Sequence, residues 1–247
     1  MSRYIPHLLL KEMAGDLSAL TAPNYATVRG AVLLADIAGF TPLAERLAAQ
    51  RDGAEKLTGY LNDYFGELID YILDSGGDVV KFAGDALLAN WAQLPGETLE
   101  MAIRRAAACG LRVQEAMHGR HVDEGIKLSM RVMIGGGDLH HAIVGGIFDR
   151  YELTVWGSPM EQLAQVRPIG TAGDVVLSRQ AWREISDTAV GEQCGDVGHR
   201  LDVMRTSIAA KPLPQIEAQS LQDAVMRQYV ERGALRGSRP RRRALAV

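Results

Sequence analysis

The 247-residue chain is 47% hydrophobic and 23% charged, the balance of a folded globular protein of one ordinary to large domain with appendages. Its net charge of −3 gives no reason to expect nucleic acid or a membrane surface as a partner, and no apolar run is long enough to span a bilayer. Two isolated cysteines, Cys109 and Cys194, are too few for a disulfide framework or a zinc site, and the first residues lack a signal-peptide layout, so a reducing, cytoplasmic setting is expected.

Residues 1–27 read as a short helical lead-in that closes in a loop at Thr21–Asn24. The apolar run from about Arg29 to Asp36 predicts a strand buried on both faces. Thr41-Pro42 predicts a helix start, with Thr41 as cap and Pro42 at the first helical position. Asp52-Gly53-Ala54-Glu55 has the form of a capping box for a second helix, which carries Leu57, Leu61, Tyr64, Phe65, Leu68, Ile69 and Ile72 at helical spacing. Gly76-Gly77 stops it. Two short apolar strands then meet at Gly84-Asp85, where glycine supplies the backbone freedom of a tight hairpin.

A third helix is expected from about Glu97 to Met117, with Cys109 as a core filler. Leu128–Ile134 reads as a strand, Gly135-Gly136-Gly137-Asp138 as a bend, and His140–Gly146 and Tyr151–Trp156 as two further strands. A helix over Met160–Val166 and a strand over Asp174–Leu177 follow. Strand, helix, two strands, helix, strand predicts an α+β fold, a ferredoxin-like βαββαβ sandwich. Beyond Lys211-Pro212-Leu213-Pro214 a short amphipathic helix is expected over Ile216–Tyr229, and residues 227–247 hold seven Arg against one Glu. An anionic-surface contact is one reading of that end; a disordered, solvated tail is the favoured one.

Two carboxylates stand out, Asp36 and Asp85. Asp36 ends a buried apolar run, where a charge is costly unless it is paired or holds a metal. Asp85 sits at the hairpin, where it either makes the turn or serves as a second ligand. Around them, Ala35-Asp36-Ile37-Ala38-Gly39-Phe40-Thr41 and Val80-Lys81-Phe82-Ala83-Gly84-Asp85-Ala86 resemble the two signature segments of class III nucleotidyl cyclases, in the family's order and at about its spacing. The resemblance spans roughly residues 28–205. In detail it is similar to the first catalytic half of the bicarbonate-responsive soluble adenylyl cyclases and their bacterial relatives.

That resemblance implies the nucleotidyl cyclase fold, with extra C-terminal strands, over residues 28–210, a lead-in over 1–27 and a linker-like helix and tail over 211–247. It implies ATP as substrate, cyclic AMP and pyrophosphate as products, and two divalent ions, Mg²⁺ or Mn²⁺, held by Asp36, Asp85 and the carbonyl of Ile37. The turn through Phe40 and Thr41 would offer backbone N–H groups to the terminal phosphates. Lys81 and Thr154 would read adenine, in place of the Glu and Cys that read guanine in relatives. His140-His141, with no ligand-spaced companion, reads as surface or hairpin packing, and Trp156 as core.

The pattern also breaks. The positions at which the family places a ribose-orienting Asn and a charge-stabilising Arg hold Glu161 and Gln165, and Ala164 stands where responsive relatives bind bicarbonate through Arg. Arg167 lies two residues past the Arg position and substitutes only if the helix shifts register. The expectation is therefore a half-enzyme, active when paired with a second cyclase half as a homo- or heterodimer. A low-activity homodimeric adenylyl cyclase and a non-catalytic nucleotide-binding regulatory module are the alternatives.

Overall fold

The apolar run ahead of Asp36 forms β1 (Asn24–Ala38), which opens five residues earlier than its hydrophobic pattern predicts. The computed structural model of the chain describes Pro6 and residues 24–123, 125–147 and 150–213; of the expected lead-in over 1–27, residues 24–27 are strand and all the rest but Pro6 lies outside the described residues, as do the helix expected over 216–229 and the Arg-rich end. After β1 come α1 (Phe40–Ala48), α2 (Gly53–Asp74), the hairpin β2 (Asp78–Ala83) and β3 (Ala86–Ala92), and α3 (Leu99–Met117). The short β4 (Arg120–Asp123) leads into the long β5 (Ile126–Ile147) and then β6 (Arg150–Gly157). Then follow α4 (Ser158–Val166), β7 (Val175–Ser178), α5 (Arg179–Ile185), β8 (Ala189–Cys194) and β9 (Gly198–Met204).

The sheet order is β2-β3-β1-β5-β7-β9-β8, with β4 and β6 also on β5. Its first four strands give the antiparallel ferredoxin-like core, and β7, β9 and β8 are the extra C-terminal strands. The α+β architecture is thus the one the element pattern predicts.

Alternation along β1 divides the core. Ala31, Leu33, Ala35 and Ile37 face the layer of α1, α2, α3 and α5, while Val32 and Leu34 face the smaller cluster under α4. The Ala-rich face of α3 (Ala102, Ala106, Ala107, Cys109, Gly110) lets that helix lie close on the strands; a Cβ on Gly110 would sit 3.1 Å from Val132 and 3.2 Å from Val175. Cys109 is the core filler expected of it, 1% exposed, with burial pushing its thiol up to about 11.

Three local expectations are corrected. Thr41 does not cap α1: the helix begins at Phe40 behind Gly39, whose φ of 94° favours glycine, and Thr41 lies exposed inside the first turn. Asp52 holds the cap position of α2 without a side-chain bond to the helix, because its carboxylate pairs with Lys56 at 3.1 Å. The glycines at 135–137 do not end a strand. Gly135 and Gly136 continue β5 in register with Val32 and Ala31 of β1, and they are small because both faces are crowded: Cβ atoms there would meet the Pro159 carbonyl at 2.8 Å and the Ile103 side chain at 2.6 Å. Gln162 of α4 clasps the same point, donating from Nε2 to the Gly136 carbonyl (2.8 Å) and accepting the Gly136 N–H (2.9 Å).

A buried ion cluster closes the far end of α3. Arg105, 2% exposed, donates to Glu97 (2.9 Å) and to the carbonyls of Ala92 (2.7 Å) and Gly76 (3.3 Å). Lys211 reaches the other Glu97 oxygen at 2.9 Å, and Arg104 donates to Thr206 Oγ1 at 2.7 Å, so the stretch after β9 is strapped back over this corner. A side chain at Gly76 (φ 80°) would collide with the Lys211 carbonyl. Burial raises the Glu97 pKa, but Lys211, the Leu94 N–H and Arg105 outweigh it and hold the carboxyl below its ordinary value. Glu97→Gln leaves Arg105 buried without its counter-charge and should cost about 3–5 kcal/mol in urea unfolding. Because the folded-state value is the lower one, the native protein keeps the contribution of Glu97 above the unfolded glutamate range. It loses that contribution as pH falls through the folded value, and the variant should show a shallower acid limb.

Candidate active site

The antiparallel register that builds the sheet also builds the site. Asp36 is the partner of Ala86 on one side and of Arg131 on the other, two positions before the end of β1. Asp85 occupies the turn between β2 and β3, which Gly84 closes at φ 69°, and its carbonyl accepts the Ile37 N–H at 3.2 Å. That bond ties the two aspartate segments together. An open cleft at these strand ends is lined by Asp36, Ile37, Ala38, Asp85, Arg131, Arg167 and the Gly170-Thr171-Ala172 turn. Asp174 fixes the turn by accepting from the Thr171 N–H (2.9 Å) and hydroxyl (2.6 Å).

Asp36 is 5% exposed, and a charge so buried needs compensation. Arg131 provides it, donating to Oδ2 from Nη2 at 2.6 Å and from Nε at 3.0 Å; Arg167 Nη2 approaches the same oxygen at 3.6 Å. Arg131 Nη1 also lies 3.4 Å from the carbonyls of Arg167 and Gly170, so its guanidinium bridges β1 to the loop after α4.

Among the described residues no group of three or more His, Cys, Asp or Glu side chains is placed to hold a metal. Two carboxylates with a nearby backbone carbonyl suit a hard cation. Mg²⁺ and Mn²⁺ take oxygen donors, and Mg²⁺ needs few of them from protein. A buried Asp36 that already requires a cation beside it fits such an ion.

Of the residues singled out in the sequence, the structure brings together Asp36, Ile37 and Asp85. Phe40 and Thr41 open α1, two and three residues beyond the cleft-lining Ala38. Gly39 at the cap position has no side chain to bond the first turn, whose N–H groups, as in any helix, lack an intrahelical partner. Lys81, half-buried on β2 opposite Leu88, and Thr154, half-buried on β6 opposite Ala142, do not line the cleft. On α4, Glu161, Ala164 and Gln165 all face outward, opposite the buried Gln162, Leu163 and Val166.

Arg131 is the functional-site residue that the sequence reading missed. Its signal was a single cation inside the Leu128–Ile134 run, which is apolar but for it and Ser129. Arg167 enters the cleft without any shift of helix register, because it follows the last residue of α4. Trp156 is not core: it is 40% exposed and stacks on Tyr25, whose ring also stacks on His140. His140 packs in the strands as expected, sharing a 2.8 Å hydrogen bond with the Thr27 hydroxyl, and His141 is buried.

Comparison with known proteins agrees with this fold. The chain is 27% identical over 186 residues to adenylate cyclase type 10 of Rattus norvegicus, a match covering 74% of this chain and 11% of that protein, so the chain spans only about a tenth of the relative's length. The solved adenylyl cyclase CyaB from P. aeruginosa superposes with a TM-score of 0.59 at 19% identity, covering 76% of this chain and 100% of that one. The guanylate cyclase domain of RhGC from Catenaria anguillulae, solved in complex with GTP, gives a TM-score of 0.59 at 16% identity over 72% of this chain and 99% of its own. At such identities the two structures speak for the fold alone. The profile described as "Adenylate and Guanylate cyclase catalytic domain" matches residues 22–197, most of the chain. With both aspartates at adjoining strand ends of that fold, the chain belongs to the adenylate and guanylate cyclase catalytic-domain family.

Proposed function

We propose that the chain is one catalytic half of an adenylyl cyclase, converting ATP to cyclic AMP and pyrophosphate when a complementary half faces it. The observation that carries this reading is the meeting of Asp36 and Asp85 in one cleft, joined through the Ile37 N–H. Asp36, Asp85 and the Ile37 carbonyl would hold two divalent ions, Mg²⁺ or Mn²⁺. Such ions, when bound, supply activation of the ribose 3′-hydroxyl and neutralisation of charge on the departing pyrophosphate.

The chain's own groups do the rest. Its two aspartates set where the nucleotide's α-phosphorus can lie. The N–H groups at Phe40 and Thr41 would receive the terminal phosphates, orienting the bridging oxygen away from the sugar. In the reaction the 3′-oxygen bonds to the α-phosphorus, the bond to the bridging oxygen breaks, and the hydroxyl proton is lost. Lys81 would donate to an adenine ring nitrogen and the Thr154 hydroxyl would accept from the exocyclic amine; guanine presents the reversed pattern at those edges. Residues 28–210 form the working unit in this proposal, flanked by the segments 1–27 and 211–247, in a cytoplasmic setting.

The outward face of α4 supports the need for a partner, since Glu161 and Gln165 offer no cation to the developing charge. Arg167 favours a second reading, a self-sufficient homodimer of low activity, because it places a guanidinium 3.6 Å from Asp36 within the same chain. A regulatory module without catalysis is the third.

One assay orders the three. Purified protein with ATP and Mn²⁺ or Mg²⁺ should make no more cyclic AMP than its Asp85→Ala variant. Adding a cyclase half that carries the Asn and Arg should raise turnover by about 10²–10³-fold, the usual worth of one charge-stabilising group. Activity of the chain alone that climbs with its concentration and vanishes in Asp85→Ala would establish the homodimer instead; silence in both arms would leave the regulatory module. In the active pair, ATP should be preferred over GTP; where the homodimer is the active form, so that Lys81 of one copy faces the cleft of the other, Lys81→Ala should lower kcat/KM for ATP by about 10–100-fold, as expected for a lost hydrogen bond from a charged donor.

A further inference from the structure

The cleft already contains its own cations. Asp36 and Asp85 are matched there by Arg131 and Arg167, so the four charged side chains lining it cancel. The contact with Arg131 is built into the backbone: residues 36 and 131 are direct partners across β1 and β5, so their side chains leave the sheet on the same face. Both Arg131 donors and the nearer Arg167 nitrogen converge on a single carboxylate oxygen, Oδ2, at 2.6, 3.0 and 3.6 Å. Arg131 is 32% exposed and Arg167 56% exposed at the side chain, so each has solvent into which it can turn.

From this we infer that Arg131, assisted by Arg167, is a built-in competitor for the divalent ion at Asp36, and that it makes metal loading dependent on nucleotide. The inference rests on the reading of Asp36 and Asp85 as metal ligands. An ion arriving alone must break two charge-assisted hydrogen bonds and then sit beside two displaced guanidiniums in a cleft that has become strongly positive. An ion arriving with a polyphosphate meets no such surplus. The phosphate oxygens take up the guanidiniums, for which Arg is geometrically suited, and their charge offsets that of the ions. Ion and nucleotide should therefore bind with positive coupling, each tightening the other by the same factor. Arg131 is here a positioning residue: it acts by occupying Asp36, whether or not it later touches the phosphates.

The test is a Mn²⁺ titration of the full chain followed by electron paramagnetic resonance, with and without an ATP analogue that cannot cyclise. Wild type should bind Mn²⁺ weakly alone and at least about tenfold more tightly with the analogue, the scale of an ordinary coupling between two sites. Arg131→Gln should bind Mn²⁺ alone at least about tenfold more tightly than wild type, and the analogue should then add less. Arg131→Lys, which also alters the packing but keeps the charge, should remain weak in the absence of nucleotide; a thermal melt of each variant checks that it folds. Equal or weaker nucleotide-free binding by Arg131→Gln would overturn the inference while leaving the metal ligands in place. Undiminished Mn²⁺ binding by Asp36→Ala and by Asp85→Ala would overturn the metal reading itself, and the inference with it.

Discussion

The antiparallel register between β1 and β5 is the constraint on which the site depends. It runs from Asn24 opposite Ile143 to Ala38 opposite Ser129, and every residue on one strand fixes which residue of the other shares its face. A slip of one residue would turn Ala31, Leu33 and Ala35 to the face of α4 and Asp36 away from Arg131. The pairs that bury the core thus also place a carboxylate where water cannot reach it freely and supply the guanidinium that makes the burial tolerable. Stability and the electrostatics of the cleft share one cause.

Much of this was legible in the sequence, for identifiable reasons. Buried strands announce themselves by apolar runs, so β1 and the hairpin around Gly84-Asp85 could be placed, and the split βαββαβ order followed from the succession of runs. Asp36 stood out because a charge ending such a run has few inexpensive explanations. The glycines of β5 misled because glycine has two uses, bending a chain and making room; here the room is needed by Ile103 and Pro159, which come from distant segments and leave no local mark. Arg131 escaped for the same reason. Nothing near it in the chain is acidic, and its partner lies 95 residues away across a strand pairing that only the folded sheet reveals. Thr41 looked like a cap by residue type, but Gly39 took the position by backbone conformation.

The two faces of the sheet divide labour in a way that the polar contacts make explicit. On the face of α1, α2 and α3 the bulk of the layer is apolar and close, with polar contacts from α3 through Arg105 to Glu97 and through Gln114 to the Met130 and Asp174 carbonyls. On the other, α4 is held by a directional clasp, Gln162 gripping the Gly136 backbone while the Ser178 hydroxyl donates to Gln162 Oε1 at 2.6 Å. A helix fixed in this manner cannot rotate without breaking several buried hydrogen bonds. Its outward residues, and Arg167 just beyond its end, are therefore presented in one orientation, which is what any partner docking on that side would meet.

The strap after β9 has a mechanical meaning. Lys211 lies against Glu97 and Gly76, and Gly76 stands two residues ahead of β2, the strand whose far end delivers Asp85 to the cleft. Tension applied to the backbone beyond residue 213 would be borne first at that corner, by the shared Glu97 carboxylate, and not by the outer strands β8 and β9. The corner that anchors the strap is thus also the one from which β2 sets out toward the turn that holds Asp85.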